Sequence, residues 1–264
     1  MDRLETVAME VAREGGKLLM SRFRTDIEVF HKGEVDLVTE VDLAAERLIV
    51  SRISSAFPGH TILAEENHSA PKSGSHTWII DPLDGTVNYA HGIPIFAVSI
   101  GLEIDGELAC GAVYNPVLDE LFTACHGGGA FCNGKPIRVS STEKLTDSIL
   151  STGFPYDIRT GKNNNLDYFR EFALRAQGLR RGGSAALDFC YVAAGYLDGF
   201  WELSLHPWDC AAGYLIVREA GGMVTNLSGA RGSIYEPEMV SSNGRIHQEM
   251  LAVLQGVRSL TRLS

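Results

Sequence analysis

The segment Trp78-Ile-Ile-Asp-Pro-Leu-Asp-Gly-Thr-Val-Asn88 says most about how this chain folds. It starts as a short apolar run of β-favouring residues, which predicts a buried strand that ends on a charge at Asp81. A proline and a glycine then bend the chain, so we expect the carboxylates of Asp81 and Asp84 and the Leu83 carbonyl to face one small volume. Hard divalent cations prefer such oxygen ligands. A capped tight turn fits the same residues, and the segment alone does not distinguish the two interpretations.

Helices and strands are predicted on both sides of this segment. Apolar residues recur at three- and four-residue steps over residues 3–23 and from about Asp42 to Ala56, which predicts two amphipathic helices. From Phe96 to about Ser140, short β-favouring runs separated by Asp-Gly and Asn-Gly turns predict an antiparallel meander. Beyond Thr146 strands and helices alternate. The elements predicted there are strands at Ser148–Thr152, near Leu179, at Leu197–Leu203 and at Met223–Asn226, and helices at Leu166–Ala176, Ser184–Ala194, Asp209–Ala220 and Arg245–Val257.

The element order predicts an α+β, or layered α/β, protein. We expect one continuous body over residues 1–264, with an α+β half (1–142) that carries the acidic segment and an α/β half (143–264) that carries a substrate-binding segment. The composition agrees, because 264 residues with 45% hydrophobic and 21% charged side chains suffice for a large core and exclude disorder and coiled coil.

The net charge and the cysteine content indicate which partners and which cellular compartment to expect. The 23 Lys and Arg residues against 33 Asp and Glu give a net charge of −10, and the basic residues are scattered apart from Arg180–Arg181, so we expect no direct nucleic-acid binding. Five cysteines without a Cys-x-x-Cys pair suit a reducing compartment. The first residues are too charged for a signal peptide, and no run approaches the ~18 apolar residues of a membrane helix. We therefore expect a cytoplasmic protein.

Two further acidic sites stand where strands or loops end. They are Glu65-Glu66 and Trp208-Asp209. Taken alone, Glu65 fits an ordinary surface acid and Asp209 fits a helix cap. Their importance depends on whether they lie near Asp81 and Asp84.

Together these sites resemble the signatures of one family. Asp81-Pro-Leu-Asp-Gly-Thr86 is similar to the first signature of the inositol monophosphatase family, and Trp208-Asp-Cys-Ala-Ala-Gly213 followed by Glu219-Ala-Gly-Gly222 is similar to the second. The resemblance spans about residues 4 to 257, at the spacing of the bacterial inositol-1-monophosphatases. The other segments and residues that match, in the family's order, are Lys32-Gly, Asp36-Leu-Val-Thr39, Asp42, Ala64-Glu-Glu66, Gly183-Ser-Ala-Ala186 and Glu202.

The resemblance implies a five-layer αβαβα sandwich of the sugar phosphatase type with Mg²⁺-dependent, lithium-sensitive phosphatase activity. It implies that Thr86, hydrogen-bonded to Asp42, acts with Glu65 to orient the attacking water. The two or three Mg²⁺ ions that it implies would be held by Glu65, Asp81, the Leu83 carbonyl, Asp84 and Asp209. The substrate contacts that it implies are Asp84, Gly85, Thr86, Ser184, Ala185, Glu202 and Asp209.

Elementary electrostatics supports these expectations. A phosphate monoester is doubly anionic near neutral pH, so a site of four carboxylates repels it unless cations intervene. Helices that begin near Thr86, Ser184 and Asp209 would point their positive ends toward the phosphate. The Glu202 carboxylate can accept two hydroxyl hydrogen bonds, which suits a polyol, although a solvated strand-end Glu fits too. Lys32, in a Lys-Gly-Glu loop, fits either a movable cover for the site or a plain surface lysine.

The predicted substrate is a small phosphorylated polyol, myo-inositol 1-phosphate or a related inositol monophosphate. A fructose-1,6-bisphosphatase and a 3′-phosphoadenosine 5′-phosphate phosphatase share the fold and stay open as alternatives. A second phosphate would need basic residues, and Arg180, Arg181 and Lys162 are near the substrate segment. A non-enzymatic alternative is a partner of transcription or ribosome biogenesis, because some bacterial proteins that resemble this chain have such a role. The resemblance also implies a homodimer, for which the aromatic neighbourhoods of Tyr89 and Phe154–Tyr156 are candidate interfaces.

Overall fold

The computed structural model describes residues 2–33, 36–66 and 74–261. Two helices form its first outer layer, with a short antiparallel hairpin between them. Thr39 caps the second helix: its hydroxyl accepts the Val41 N–H at 3.1 Å, and the Asp42 carboxylate accepts the Thr39 N–H at 2.9 Å. This capping box fixes Asp42 at the start of the helix. The elements of the layer are α1 (Asp2–Arg22), β1 (Val29–His31), β2 (Leu37–Thr39) and α2 (Glu40–Ala56).

The second layer is a seven-stranded sheet in which the strands follow one another in chain order. All neighbours pair antiparallel except the first two, which are parallel. Its elements are β3 (Thr61–Ala64), β4 (His76–Asp84), β5 (Ala97–Ile104), β6 (Glu107–Asn115), β7 (Glu120–Cys125), β8 (Gly129–Cys132) and β9 (Lys135–Pro136), with the short helix α3 (Thr86–Ala90) after β4.

A five-stranded sheet and four helices make up the rest of the described chain. The strand order of this sheet is β11-β10-β12-β14-β13, with β10 parallel to both its neighbours and β14 antiparallel to both of its own. The elements are β10 (Ile149–Thr152), α4 (Leu166–Ala173), β11 (Gly178–Arg180), α5 (Ala185–Ala193), β12 (Gly199–Glu202), α6 (Pro207–Glu219), β13 (Met223–Thr225), β14 (Met239–Ser242) and α7 (His247–Thr261).

Three apolar cores hold the layers together. Side chains on β4 alternate between two of them: Trp78 and Ile80 pack with α1 and α2, whereas Ile79 packs with α5 and α6. A strand that is covered by helices on both faces has apolar side chains on both faces. This is why apolar and polar residues do not alternate in the sequence before Asp81. The third core lies under α4 and α7, where the Phe172 and Trp201 rings are 4.2 Å apart.

The layers therefore follow the order helix, sheet, helix, sheet, helix. The pair α1 and α2 covers the seven-stranded sheet, α5 and α6 lie between the sheets, and α4 and α7 cover the five-stranded sheet. This arrangement confirms the predicted α+β fold class and the αβαβα sandwich. The two sheets come from opposite sides of residue 142, but the division into halves stays a prediction because α5 and α6 pack against both sheets.

The structure corrects several element boundaries. Asp81 does not end its strand: β4 continues to Asp84 through an interrupted register. The first residue of α6 is Pro207, two residues earlier than predicted, and α4 ends at Ala173. The sequence pattern did not indicate β3 or β14. Tyr89 is a core residue, because it is 2% exposed and its hydroxyl donates to the Leu19 carbonyl. In the described ranges, no helix has both the length and the apolarity to cross a bilayer.

Candidate active site

A cavity of about 350 Å³ is lined by residues from both sheets and from the helices between them. The first residues of α3 and α5 and the N-terminal residues of α6 border it. Asp42 lies behind Thr86 and is the predicted site residue that does not itself line the cavity. The predicted residues that line it are Glu65, Asp81, Leu83, Asp84, Gly85, Thr86, Ser184, Ala185, Glu202 and Asp209.

The turn at the end of β4 brings the two signature aspartates to the cavity. The Leu83 N–H donates to Asp81 Oδ1 at 2.9 Å, and the pairing of β4 with β5 shifts between Asp81 and Asp84. Gly85 follows at φ 98°, where a Cβ would lie 2.9 Å from the Ile95 carbonyl oxygen. Only glycine fits this position without strain. The turn and the carboxylate pair are thus features of one local structure.

Asp84 joins the two halves of the chain. Its Oδ2 accepts the Ala186 N–H at 2.8 Å and a short hydrogen bond from the Ser184 hydroxyl. Ser184 is also the N-cap of α5, where it accepts the Leu187 N–H. The positive end of α5 is therefore directed at a carboxylate, which is the favourable arrangement for a helix N-terminus.

Asp209 serves as a cap and as a cavity residue together. It is the third residue of α6, and its Oδ2 accepts the His206 N–H at 2.7 Å in a capping box. Pro207 at the first helical position suits the start of the helix. The N-cap is His206 and not Asp209, but Asp209 takes part in the capping box from the third helical position, and this does not compete with a role in the cavity.

Thr86 lies between a buried carboxylate and the turn. Its Oγ1 is 2.8 Å from Asp42 Oδ1 and 3.0 Å from the Leu83 carbonyl oxygen, and both are acceptors. Asp42 is 1% exposed, and burial raises its pKa while the Thr39 and Thr86 hydrogen bonds lower it. The hydrogen bond between Thr86 and Asp42 that the resemblance implies is present. The Thr86 hydroxyl is thus fixed in direction and its lone pairs can accept from a ligand in the cavity.

Glu65 forms an ion pair with a lysine of the same chain. The Lys32 ammonium donates to Glu65 Oε1 at 3.1 Å and to Glu66 Oε1 at 2.6 Å. Burial alone would lower the pKa of Lys32, but the Glu65 and Glu66 carboxylates outweigh it and raise the pKa. Lys32 is therefore not a plain surface lysine. The prediction that its loop covers the site includes Glu34, which lies outside the described residues.

The cavity is strongly acidic. Arg181 is the one Lys or Arg among the described residues that line it. Burial raises the pKa of Glu65 to about 7, partly offset by Lys32, and burial raises the pKa of Asp84 to about 6 against the hydrogen bonds of Ser184 and α5. Burial and three neighbouring carboxylates raise the pKa of Asp81 well above its ordinary value. The acidic side chains that line the cavity are Glu65, Asp81, Asp84, Asp157, Asp188, Glu202 and Asp209.

The donor set fits Mg²⁺ in its chemistry. Carboxylate and carbonyl oxygens are the ligands that this ion prefers, and burial, the main cause of the raised acid pKa values, penalises negative charges that a cation would neutralise. The protein fixes one oxygen of Asp81 and one of Asp209, while the other oxygen of each accepts no hydrogen bond from the described residues. As placed, no three acidic, His or Cys side chains in the described ranges are close enough to hold one ion. The candidate ligands are nevertheless gathered at one cavity.

Glu202 lies against a glycine that sequence reasoning missed. A Cβ on Gly153 would lie 1.9 Å from Glu202 Oε1, so the carboxylate occupies the space that a side chain would need. Burial and the nearby Asp188 carboxylate raise the pKa of Glu202 well above its ordinary value. Glu202 is therefore not the solvated strand-end residue of the alternative interpretation.

Other cavity residues also lie outside the predicted set. Asp188 lines the cavity from α5, and its signal was a lone acid in an otherwise apolar, buried helix. Tyr156, considered above as part of an interface, is 58% exposed and lines the cavity too. Of the three basic residues near the substrate segment, Arg181 reaches the cavity, whereas Arg180 and Lys162 are not among its lining residues.

Known proteins match this chain along nearly its full length. The model of the inositol monophosphatase family matches residues 1–258. The chain is 42% identical over 255 residues to an inositol-1-monophosphatase of Mesorhizobium japonicum and 41% identical over 255 residues to the Nus factor SuhB of Escherichia coli, with 96% of each chain covered in both cases. The solved structure of an inositol monophosphatase from Anabaena superimposes with a TM-score of 0.88 at 40% identity, covering 97% of this chain and 96% of that one. The chain belongs to the inositol monophosphatase family.

Proposed function

We propose that this protein is a Mg²⁺-dependent phosphatase that hydrolyses myo-inositol 1-phosphate and related inositol monophosphates to inositol and phosphate. One observation carries the proposal: acids from both halves of the chain line one cavity at which three helices begin. Family membership supports phosphatase activity. The dependence on Mg²⁺ and the identity of the substrate are the parts that we propose.

The groups that would hold the metal in this proposal are four carboxylates and one backbone carbonyl. Mg²⁺ ions there would neutralise the substrate's charge, lower the pKa of a water and stabilise the departing alkoxide. The residues that would hold them are Glu65, Asp81, the Leu83 carbonyl, Asp84 and Asp209.

The chain's own residues position the reactants. The Thr86 hydroxyl, held by Asp42, accepts a hydrogen bond from a water in the cavity and so directs the water's lone pair, and Glu65 lies at the same cavity to receive a proton. The Ala186 and Leu187 N–H groups of α5 are already bound to Asp84 and Ser184, so α5 and α6 contribute the positive potential of their N-termini to the phosphate oxygens. The Glu202 carboxylate accepts two hydroxyl hydrogen bonds from the polyol.

The cavity favours a monophosphate over a bisphosphate. A second phosphate far from the metal ligands needs Lys or Arg partners, and Arg181 alone among the described lining residues offers one. Fructose 1,6-bisphosphate and 3′-phosphoadenosine 5′-phosphate are therefore the weaker candidates.

A phosphate-release assay with Mg²⁺ tests the proposal. Inositol 1-phosphate is compared with fructose 1,6-bisphosphate and 3′-phosphoadenosine 5′-phosphate, and we expect the highest kcat/KM for the first. Glu65→Gln and Asp84→Asn should each lower turnover by about 10²–10³-fold, by analogy with the loss of one preorganised charge. Asp157→Asn is the matched control, because Asp157 is an exposed acid at the same cavity. Turnover near wild type in both site variants would refute the site assignment.

A second function is favoured by the names of the relatives. The Escherichia coli relative, a Nus factor, is almost as similar to this chain as the inositol-1-monophosphatase. We therefore also propose a role as a transcription partner that does not require catalysis. In a pull-down with RNA polymerase, Glu65→Gln should bind like wild type while phosphate release is lost. Loss of both in a folded variant would show that the two roles share the cavity.

The proposal includes a cytoplasmic homodimer. The five free cysteines suit a reducing compartment, and the dimer comes from the resemblance alone. Light scattering of the purified protein measures the mass directly, and a monomer of 28.7 kDa would contradict the dimer.

A further inference from the structure

Two thiols outside the cavity lie opposite each other in the seven-stranded sheet. Cys110 on β6 and Cys125 at the end of β7 are direct partners in the antiparallel register. Their Sγ atoms are 2.6 Å apart, well inside the contact distance of two non-bonded sulfurs, and both are free thiols. The backbone therefore already brings the two sulfurs to the separation from which a covalent bond forms.

The two sulfurs differ in their access to solvent. Cys110 is 1% exposed, whereas Cys125 is half-buried and can be reached by a small molecule. Cys110 belongs to the core between the sheet and α1, and Cys125 packs against that core. A small reagent can thus meet Cys125 first, with Cys110 directly behind it.

We propose that Cys110 and Cys125 form a reversible intramolecular disulfide by exchange with a low-molecular-weight disulfide such as oxidised glutathione. Neither the family signatures nor the proposed phosphatase chemistry involves these residues, so this modification site is independent of the cavity.

The reaction balances as two thiol–disulfide exchanges. Cys125 loses its proton to solvent, and its thiolate attacks one sulfur of glutathione disulfide, which breaks that S–S bond and releases a glutathione thiolate that takes up a proton. Cys110 then loses its proton and its thiolate attacks Cys125 Sγ, which breaks the mixed disulfide and releases the second glutathione as a thiolate that takes up that proton. Two protein thiols are oxidised and one glutathione disulfide is reduced to two thiols. A reduced thiol in excess reverses both steps.

The contact between the two reduced thiols shifts their acidities in opposite directions. A hydrogen bond from the Cys125 S–H lowers the pKa of Cys110, and the same contact together with burial raises the pKa of Cys125. That hydrogen bond ends when Cys125 carries glutathione, so Cys110 attacks because it lies directly opposite Cys125 and not because its thiol is more acidic. Closure therefore follows the slow first exchange directly.

Cys132 provides a matched control. It is half-buried like Cys125 and lies on the next strand, but no thiol is within hydrogen-bond distance of it in the described part of the chain. Exposed to the same reagent, Cys132 can form a mixed disulfide but has no partner for ring closure.

The test is to incubate the folded full-length protein in glutathione buffers of rising oxidised fraction and to measure intact mass, free thiols and peptide connectivity. We expect the free-thiol count to fall by two, from the five cysteines present, with the mass of two lost hydrogens and a Cys110–Cys125 cross-linked peptide. The apparent Tm should rise by roughly 5 °C and return to its starting value with dithiothreitol.

Variants make the outcome decisive. Cys110→Ser, or Cys110→Ala if the buried serine lowers folding yield, should accumulate glutathione on Cys125 without closure, and Cys132→Ser should close like wild type. A wild-type protein that keeps five thiols, that only accumulates mixed disulfides, or that links other cysteines would overturn the proposal. A cross-link that forms only in denaturant would overturn it as well.

Discussion

Two aspartates of the cavity, Asp81 and Asp209, are oriented by backbone groups. Each gives one carboxylate oxygen to an N–H, from Leu83 and from His206 respectively. Backbone donors do not rotate, so the direction of the second oxygen is set when the turn and the helix form. These two carboxylates are therefore ordered before a ligand arrives, whereas the acids of the described ranges must still approach one another to hold one ion.

Thr86→Val tests whether the hydroxyl positions a reactant. Valine keeps the shape but removes the hydrogen bonds to Asp42 and to the Leu83 carbonyl. We expect kcat to fall about 10²-fold with little change in KM, and the free energy of unfolding to fall by about 1–3 kcal/mol because Asp42 loses a donor. Thr86→Ser keeps the hydroxyl and should retain most of the activity. Wild-type kcat in a folded valine variant would remove Thr86 from the mechanism.

Gly153→Ala tests the position of Glu202. The added methyl overlaps the Glu202 carboxylate, which must move. We expect KM for inositol 1-phosphate to rise about tenfold with a smaller change in kcat, and a loss of about 1–3 kcal/mol of stability from overpacking. Gly256→Ala, on α7 with open space around it, is the control and should be neutral or stabilising. Equal KM values for the two variants would show that Glu202 does not contact substrate.

Among the elements, helices were predicted more accurately than strands. The apolar residues at three- and four-residue steps locate α1 and α2 within two residues of their bounds in the structure. Strands β3 and β14 were missed because each is a four-residue segment without an alternating pattern or a flanking hairpin turn. A strand that takes its stability from neighbours distant in sequence leaves a weak local signal.

The same reason explains what was predictable of the site. Residues inside the two signatures were predicted because those segments resemble the family's signatures, whereas the turn and the cap alone fitted other interpretations too. Asp188 and Gly153 were missed because the packing of α5, and the pairing of β10 with β12, bring them to the cavity. The Cys110–Cys125 pair was missed because strand register, which cysteine spacing does not reveal, sets it.

Glu219→Ala tests the far end of α6. The Glu219 carboxylate accepts the Gly127 and Gly129 N–H groups at 2.9 and 3.0 Å, and so joins the end of the helix to the turn between β7 and β8. Losing two charge-assisted hydrogen bonds should lower the free energy of unfolding by about 1–3 kcal/mol. Turnover should stay near wild type, because Asp209 lies at the opposite end of α6. Urea unfolding and phosphate release measure the two effects, and Glu219→Gln, which keeps one acceptor, should lose less stability.

On the scale of the whole molecule, acids from both halves of the chain are concentrated at one place. Asp81 and Asp84 come from the first half and Asp209 from the second. Their mutual repulsion opposes the folded state unless protons or cations reduce it. Folding, pH and metal are therefore linked at this cavity.

The stability of the metal-free protein should fall as pH rises. Glu65 has a pKa of about 7 in the folded protein against an ordinary 4.5, and Asp84 about 6 against 3.8. The folded protein thus binds protons more tightly than the unfolded chain, so stability is full below the ordinary values and is lost as pH rises through about 6 to 7. We expect the Tm in EDTA to be several degrees lower at pH 7.5 than at pH 5. Millimolar Mg²⁺ should restore it at pH 7.5 by replacing the protons.

Sodium chloride at matched ionic strength separates binding from screening in this experiment. The Glu65→Gln and Asp84→Asn double variant should show a flatter dependence on pH and a smaller response to Mg²⁺. A melting temperature of the wild type that ignores both pH and Mg²⁺ would contradict a charged, preformed cavity.

The middle layer of helices affects how substrate and product can enter and leave the cavity. Phe189 of α5 and Ile216 of α6 are fully buried, and these helices contact both sheets. Rotating one sheet away from the other would separate the close-packed side chains between them, so we expect no hinge motion between the two sheets. We therefore expect substrate and product to enter and leave the cavity past Tyr156 while the two sheets keep their relative positions. Their residence times should depend on the side chains around Tyr156 more than on movement of the layers.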